Sequence, residues 1–287
     1  MKKVIKLIIL MLCFSLTTAC KQDVFEDIDI YTTVYPMEYI VNYLYGEHSN
    51  INSIYPSGVD VREYSLNEKQ IKDYSKTTLF IFDGTTSEKE YVAKFFKYNK
   101  ALKIIDATAS MEAIYDTDEL WLNPSNFLMM AQNIRYGLKE YINNHYLKTE
   151  IDEKYNKLKE QISKIDADLY DLGAKTTNKT IVASSSLFKF LEKYGLEVIT
   201  VEENEELTEK TILNVIDRIN DGEISYIFMK DNEEISATVQ RIIDATNVTV
   251  ARFHTIINLT GEERNAKKDY MTIMSDNIDL LRNELYD

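Results

Sequence analysis

Few side chains in this sequence can ligate a metal strongly or act as a nucleophile. There are three histidines, His48, His145 and His254, and two cysteines, Cys13 and Cys20, in 287 residues. Cys13 sits inside an apolar N-terminal stretch and Cys20 just after it, so the body of the chain has no disulfide framework and no thiol metal site. His254 ends the apolar run Val248 to Phe253, where it can serve as a ligand or make an ordinary structural hydrogen bond. His48 and His145 read as surface residues. Ser184-Ser185-Ser186 precedes Leu187 and suits a helix cap. The 47 acidic residues outnumber the 33 basic ones, so paired carboxylates alone carry little weight. There is no Gly-x-Ser-x-Gly elbow, no phosphate-cradling Gly-rich loop and no His-Glu-x-x-His pair, so an enzyme is not expected.

Charge narrows the guest. The formal net charge is -14, which disfavours nucleic acid and suits a cation, although acidity also serves solubility. Lys2, Lys3 and Lys6 precede the apolar segment Val4 to Leu16, which is shorter than the ~20 residues of a membrane span. Thr17-Thr18-Ala19-Cys20 closes that segment and resembles a lipobox, with Leu16 one place farther from the cysteine than usual. Residues 1–19 then form a lipoprotein signal peptide and Cys20 becomes the acylated first residue of the mature chain. An ordinary signal peptide cut nearby is the alternative.

The remaining sequence has an α/β rhythm. With 8 Gly and 3 Pro, regular elements should dominate. Strands are expected at Ile28 to Val34, Asn52 to Tyr55, Thr78 to Phe82 and Leu102 to Ile105. Unbroken apolar runs of this length suit buried parallel strands. Helices fit from Pro36 to Leu44, at 67–75 and 86–98, and from Asn123-Pro124 to about Tyr146. Ile151, Tyr155, Leu158, Ile162, Ile165 and Leu169 alternate at spacings of four and three, one apolar seam on a helix of about 25 residues, roughly 37 Å long. Gly173 is read as its C-cap. A second half repeats the rhythm, with strands at Thr180 to Ser184, Val198 to Val201, Tyr226 to Met229 and Val248 to Phe253, and helices at 186–194, 208–220, 233–245 and 263–285. The expected fold is α/β: an N-terminal lobe (20–147), a rigid backbone helix (148–173) and a C-terminal lobe (174–287), both sheets mainly parallel, with a ligand cleft between the lobes.

Several local motifs give the chain a family resemblance. Thr33-Val34-Tyr35-Pro36, the run Pro56-Ser57-Gly58-Val59-Asp60-Val61-Arg62-Glu63-Tyr64, Glu119-Leu120-Trp121-Leu122-Asn123-Pro124, Tyr155-Asn156 with Leu158, and Tyr270, Met274, Asn277 and Leu281 occur in order. Together they resemble the solute-binding lipoproteins of zinc and manganese ABC importers, the cluster that includes adhesin-like lipoproteins. The resemblance implies four metal-ligand positions in the cleft, here Arg62, Glu119, Ser185 and His254. Glu119 and His254 keep ligand chemistry. Ser185 is a neutral hydroxyl. Arg62 stays protonated and has no lone pair to offer a metal. Arg62 is therefore expected to face Glu119 as an ion pair, replacing one ligand and part of the metal's charge. Asp116 and Asp118 can supply further carboxylates, in a loop that has no histidine-rich insert.

By this resemblance the protein is a monomeric lipoprotein on the outer face of the cytoplasmic membrane, anchored through Cys20. It would deliver Zn²⁺ or Mn²⁺ to an ABC permease, with no cofactor required and no nucleic acid bound. One alternative is a surface interaction protein, an adhesin or scaffold, that has lost metal binding. Another is an anion held by Arg62 and the serines.

Overall fold

The computed structural model describes residues 25–176 and 178–286. The segment expected to be a signal peptide, and Cys20, lie outside the described residues.

Two four-stranded parallel sheets organise the chain. The first, ordered β2-β1-β3-β4, contains β1 (Ile28–Thr32), β2 (Ser49–Ser53), β3 (Leu79–Phe82) and β4 (Lys103–Asp106). The second, ordered β6-β5-β7-β8, contains β5 (Thr180–Ala183), β6 (Glu197–Thr200), β7 (Tyr226–Lys230) and β8 (Thr249–Phe253). The inner strands β3 (LFIF) and β5 (TIVA) are buried at every position, as strands covered on both faces must be. The edge strand β2 starts three residues before its expected place. It is the polar run SNINS, held by pairing to β1 in the register Ile30↔Ile51, while the apolar Ile54 and Tyr55 leave the sheet for the core. Backbone pairing, not hydrophobicity, selects this strand.

Helices cover the sheets. Helix α1 (Tyr35–Tyr45) has proline in its first turn, where the missing N–H costs nothing. Helix α2 (Glu68–Tyr74) starts on a capping box between Asn67 and Gln70. Then come α3 (Lys89–Tyr98), the short α4 (Glu119–Leu122) and α5 (Pro124–Tyr141), which ends five residues before the expected Tyr146. The chain turns and enters α6 (His145–Lys175), capped by the Asn144 side chain accepting from the Tyr146 N–H. All six seam residues of α6 are buried. At 31 residues it is about 46 Å long and packs against α1, α5 and the last helix.

The C-terminal lobe adds α7 (Glu209–Asn220), α8 (Ala237–Ala245), α9 (Gly261–Asn265) and α10 (Tyr270–Tyr286). The helix expected at 263–285 is thus two, separated at Lys267, whose φ of 56° cannot continue a right-handed helix. Residues Ser186–Tyr194 form a 3₁₀ helix. One hydrophobic core runs from Phe25 to Leu285 through both lobes and α6, and a second lies in the C-terminal lobe around Val215, Ile227 and Val239. Among the described residues no helix is long and apolar enough to cross a membrane.

Gly173 does not end α6, which continues to Lys175. Its role is close approach: a Cβ there would lie 1.9 Å from the Tyr194 carbonyl oxygen. Gly173→Ala should therefore destabilise the protein by about 1–3 kcal/mol, the cost of overpacking. Helix propensity alone would give a gain of up to about 1 kcal/mol. Urea unfolding of the variant reads the sign.

Candidate functional site

The loops that leave the carboxyl ends of the strands meet between the lobes, where ligands of open α/β sheets sit. The loop after β2 is set by Gly58, at φ 76°, whose N–H donates 2.9 Å to the Leu259 carbonyl of the other lobe. Two residues on, Asp60 Oδ1 accepts from the Arg62 N–H at 2.9 Å and turns the arginine side chain toward the cleft. There Arg62 Nη2 donates to Asp118 Oδ2 in a short contact and lies 4.0 Å from Asp116 Oδ1. Asp118 is fully buried, and its Oδ1 has no partner among the described residues. Burial pushes its carboxyl up to about 7 against the pull of Arg62.

Asp116 faces the other lobe. Its Oδ2 accepts from Lys230 Nζ at 2.9 Å and its Oδ1 from the Asp118 N–H at 3.0 Å. Burial would raise its pKa, but that N–H and the cations hold it below the usual carboxylate range. Lys230 ends β7, and its own N–H donates to Glu233 Oε2, which also accepts from Ser184 Oγ at 2.6 Å. A continuous polar chain thus runs from Arg62 through Asp118 and Asp116 to Lys230, Glu233 and Ser184. It crosses from lobe to lobe at the Lys230–Asp116 pair.

The four positions singled out by the sequence lie along these loops, and each bonds to partners other than the remaining three. Arg62 pairs with Asp118 and not with the expected Glu119. Successive residues entering a helical turn point about 100° apart, so only one of the two acids can face the arginine. Glu119 Oε2 instead accepts from the Ile114 and Tyr115 N–H groups, both at 3.1 Å, and closes its own loop. Ser185 is the N-cap of the 3₁₀ helix, its hydroxyl accepting from the Leu187 N–H at 3.2 Å.

His254 is engaged at both ring nitrogens. The Ile256 N–H donates to Nδ1 at 2.8 Å, which assigns the proton to Nε2, 3.1 Å from Glu263 Oε1. Asn277 brackets the histidine main chain, accepting from its N–H and donating to its carbonyl. Asp231 Oδ2 lies 3.6 Å from Nδ1. A cleft of about 400 Å³ lies beside them, lined by Asp60, Asp231, His254, Asn258 and Glu263. Among the described residues no three His, Cys, Asp or Glu side chains are grouped to hold a metal ion. Lys230, Asp231 and Glu233 were not singled out by the sequence. The one signal was a lysine closing the apolar run Tyr226 to Met229.

Residues 254–264 thread into the other lobe. The Tyr35 N–H donates to the Ile257 carbonyl, Trp121 Nε1 to that of Thr255 at 2.7 Å, and Asn258 Nδ2 to Pro56 and Val59. Arg264 grips Glu38 with both terminal nitrogens, at 2.6 and 2.9 Å. Ile256 holds φ at 61°, a strained conformation for a β-branched residue that these bonds enforce. The Lys230–Asp116 bridge adds to this closure. A double-mutant cycle with Lys230→Met and Asp116→Asn should show coupling between about 0.5 and 3 kcal/mol, as expected for contacting charges in one network. Zero coupling in thermal unfolding would mean the pair does not hold the lobes.

Comparison with known proteins agrees with this architecture. The family profile described as zinc-uptake complex component A, periplasmic, matches residues 30–284. The zinc-binding lipoprotein AdcA of Streptococcus pneumoniae is 21% identical over 310 residues, which cover 98% of this chain and 61% of AdcA. The chain thus spans about three-fifths of that relative. The manganese ABC transporter substrate-binding lipoprotein PsaA of Streptococcus mitis is 22% identical, with 97% of each chain covered. Two solved structures share the fold. The Zn(II)-bound ZnuA-like domain of the Streptococcus pneumoniae AdcA superposes with a TM-score of 0.72 at 19% identity, covering 91% of this chain and 100% of the domain. The laminin-binding protein Lbp of Streptococcus pyogenes gives 0.70 at 16% identity, covering 91% of this chain and 99% of its own. The match over nearly the whole of both lobes places the chain in the zinc-uptake complex component A family, the solute-binding proteins of zinc and manganese ABC importers.

Proposed function

We propose that this protein is an extracytoplasmic solute-binding lipoprotein that docks on an ABC permease, with a cleft whose ligand set has been altered so that ion pairs do part of the work of a metal. The proteins of this family bind and present solutes and are not enzymes. The observation that carries the reading is the chain Arg62–Asp118–Asp116–Lys230. A divalent cation supplies two positive charges and joins the lobes through its ligands. Here two cationic side chains face two carboxylates, and one of the pairs crosses between lobes. The engagement of Glu119 by backbone N–H groups and of both His254 nitrogens supports the same reading, because each would have to give up a bond to take a metal. Anchoring through acylated Cys20, a monomeric state and the permease partner complete the proposal.

Stoichiometric zinc or manganese in protein purified without chelator, read by elemental analysis, supports delivery of a cation, and absence of both metals supports a surface interaction protein. Arg62→His should gain zinc affinity in calorimetry, because it restores a lone pair and removes a positive charge. Equal zinc affinity in the native protein and the variant would sink the ion-pair reading. In the cell, Cys20→Ser should move the protein from the membrane fraction to the medium or periplasm. Retention at the membrane would refute the lipid anchor.

The same closure without a metal also favours a second reading, a surface interaction protein that no longer transports. Radiolabelled zinc and manganese uptake in cells lacking the protein separates the two. Reduced uptake supports the importer, and unchanged uptake supports the interaction protein.

A further inference from the structure

A second cavity, of about 310 Å³, is lined mostly by the N-terminal lobe and bounded by Ile257 of the other lobe. It is bordered by Val34, which follows β1, and by Asp83, which follows β3. The order β2-β1-β3-β4 reverses direction between those two strands, and the carboxyl side of such a switch point is where open α/β sheets bind ligands.

The wall chemistry is specific. Asp83 is 1% exposed. Its Oδ1 accepts from the Thr85 N–H and hydroxyl and from Thr108 Oγ1, whereas its Oδ2 is buried with no partner among the described residues. A buried carboxylate oxygen left without a donor is costly, and a ligand donor removes that cost. Beside it, the Glu88 carboxyl accepts from the Asp83 N–H at 3.2 Å and the Tyr55 hydroxyl at 3.3 Å. Burial pushes Glu88 up to about 8, so at neutral pH it is mostly protonated. Tyr55, Tyr91 and Trp121 supply aromatic surface. Two cations also line the cavity. Arg62 commits Nη2 to Asp118 and leaves Nε and Nη1 without a partner among the described residues, and Lys94 Nζ sits 4.9 Å above the Tyr91 ring.

We propose that this cavity binds a small zwitterion of amino-acid size, its ammonium on Asp83 Oδ2 and its carboxylate on Arg62 and Lys94. The unpartnered Asp83 Oδ2 offers an acceptor to an ammonium, Arg62 and Lys94 offer donors to a carboxylate, with the exposed Glu90 also at the lining, and the volume is at the lower end for small-molecule pockets, about 300–1,000 Å³. The site shares Arg62 with the metal-ligand positions and the cleft's ion-pair chain, whereas Asp83, Glu88, Tyr55 and Lys94 belong to neither.

The test is calorimetric titration of the full protein with each standard amino acid, with putrescine and acetate as probes bearing one kind of charge. At least one amino acid should bind, and more tightly than either single-charge probe. Asp83→Asn, which keeps the shape and the Oδ1 bonds, should weaken that binding by roughly ten- to a hundredfold, the loss of a charged hydrogen-bond partner. Ser87→Trp, at an exposed lining residue, should also block it without unfolding the lobe. No binding by any amino acid, putrescine or acetate binding as well, or full affinity in Asp83→Asn would each overturn the proposal. Zinc titration of Asp83→Asn reports on the cleft independently, so failure here leaves the ion-pair reading to its own test.

Discussion

The structure depends on one stiff element that both lobes share. The seam from Ile151 to Leu169 on α6 is buried along its whole length, while the opposite faces carry Lys, Glu and Asp. A helix with a single narrow apolar stripe has one low-energy way to lie against its neighbours. Because α1, α5 and α10 all dock on it, the two sheets cannot rotate freely about a loose linker. The cleft is therefore defined by the loops above the strands. Gly173 extends this constraint, since only a residue without a Cβ lets α6 pass the Tyr194 carbonyl.

Charge in the cleft follows from burial. A carboxylate removed from water must be paired or take up a proton, and Asp118 shows both pressures, with burial driving its pKa upward and Arg62 opposing. Asp116 is less enclosed, with its side chain 20% exposed, and has Lys230 and a backbone N–H, and it stays ionised. Two neighbouring acids in one loop thus titrate apart because their burial and their donors differ. A chain this acidic can set cations at the meeting point of its lobes only by placing them deliberately, and Arg62 and Lys230 are those cations.

The lobe contact is also mechanical. Residues 254–264 bring a strained Ile256, a histidine with both nitrogens used and an arginine gripping Glu38 into the opposite lobe. Strain of this kind persists only where surrounding bonds over-determine it, and such segments concentrate where a protein closes on a guest or a partner.

The sequence by itself determined the parallel strands, the helix seam and the lobe order, because these depend on periodicity and burial over neighbouring residues. The runs at Leu79–Phe82 and Thr180–Ala183, Pro36 at a helix start and the spacing from Ile151 to Leu169 were all legible. Ser49–Ser53 was not, since a polar edge strand is defined by its partner in register. The side chains that meet in the cleft were decided only by tertiary structure. A shift of one position turned Asp118, not Glu119, onto Arg62, and Lys230 found Asp116 across 114 residues of chain. Contacts of that kind depend on where distant loops end in space, and no local pattern records it.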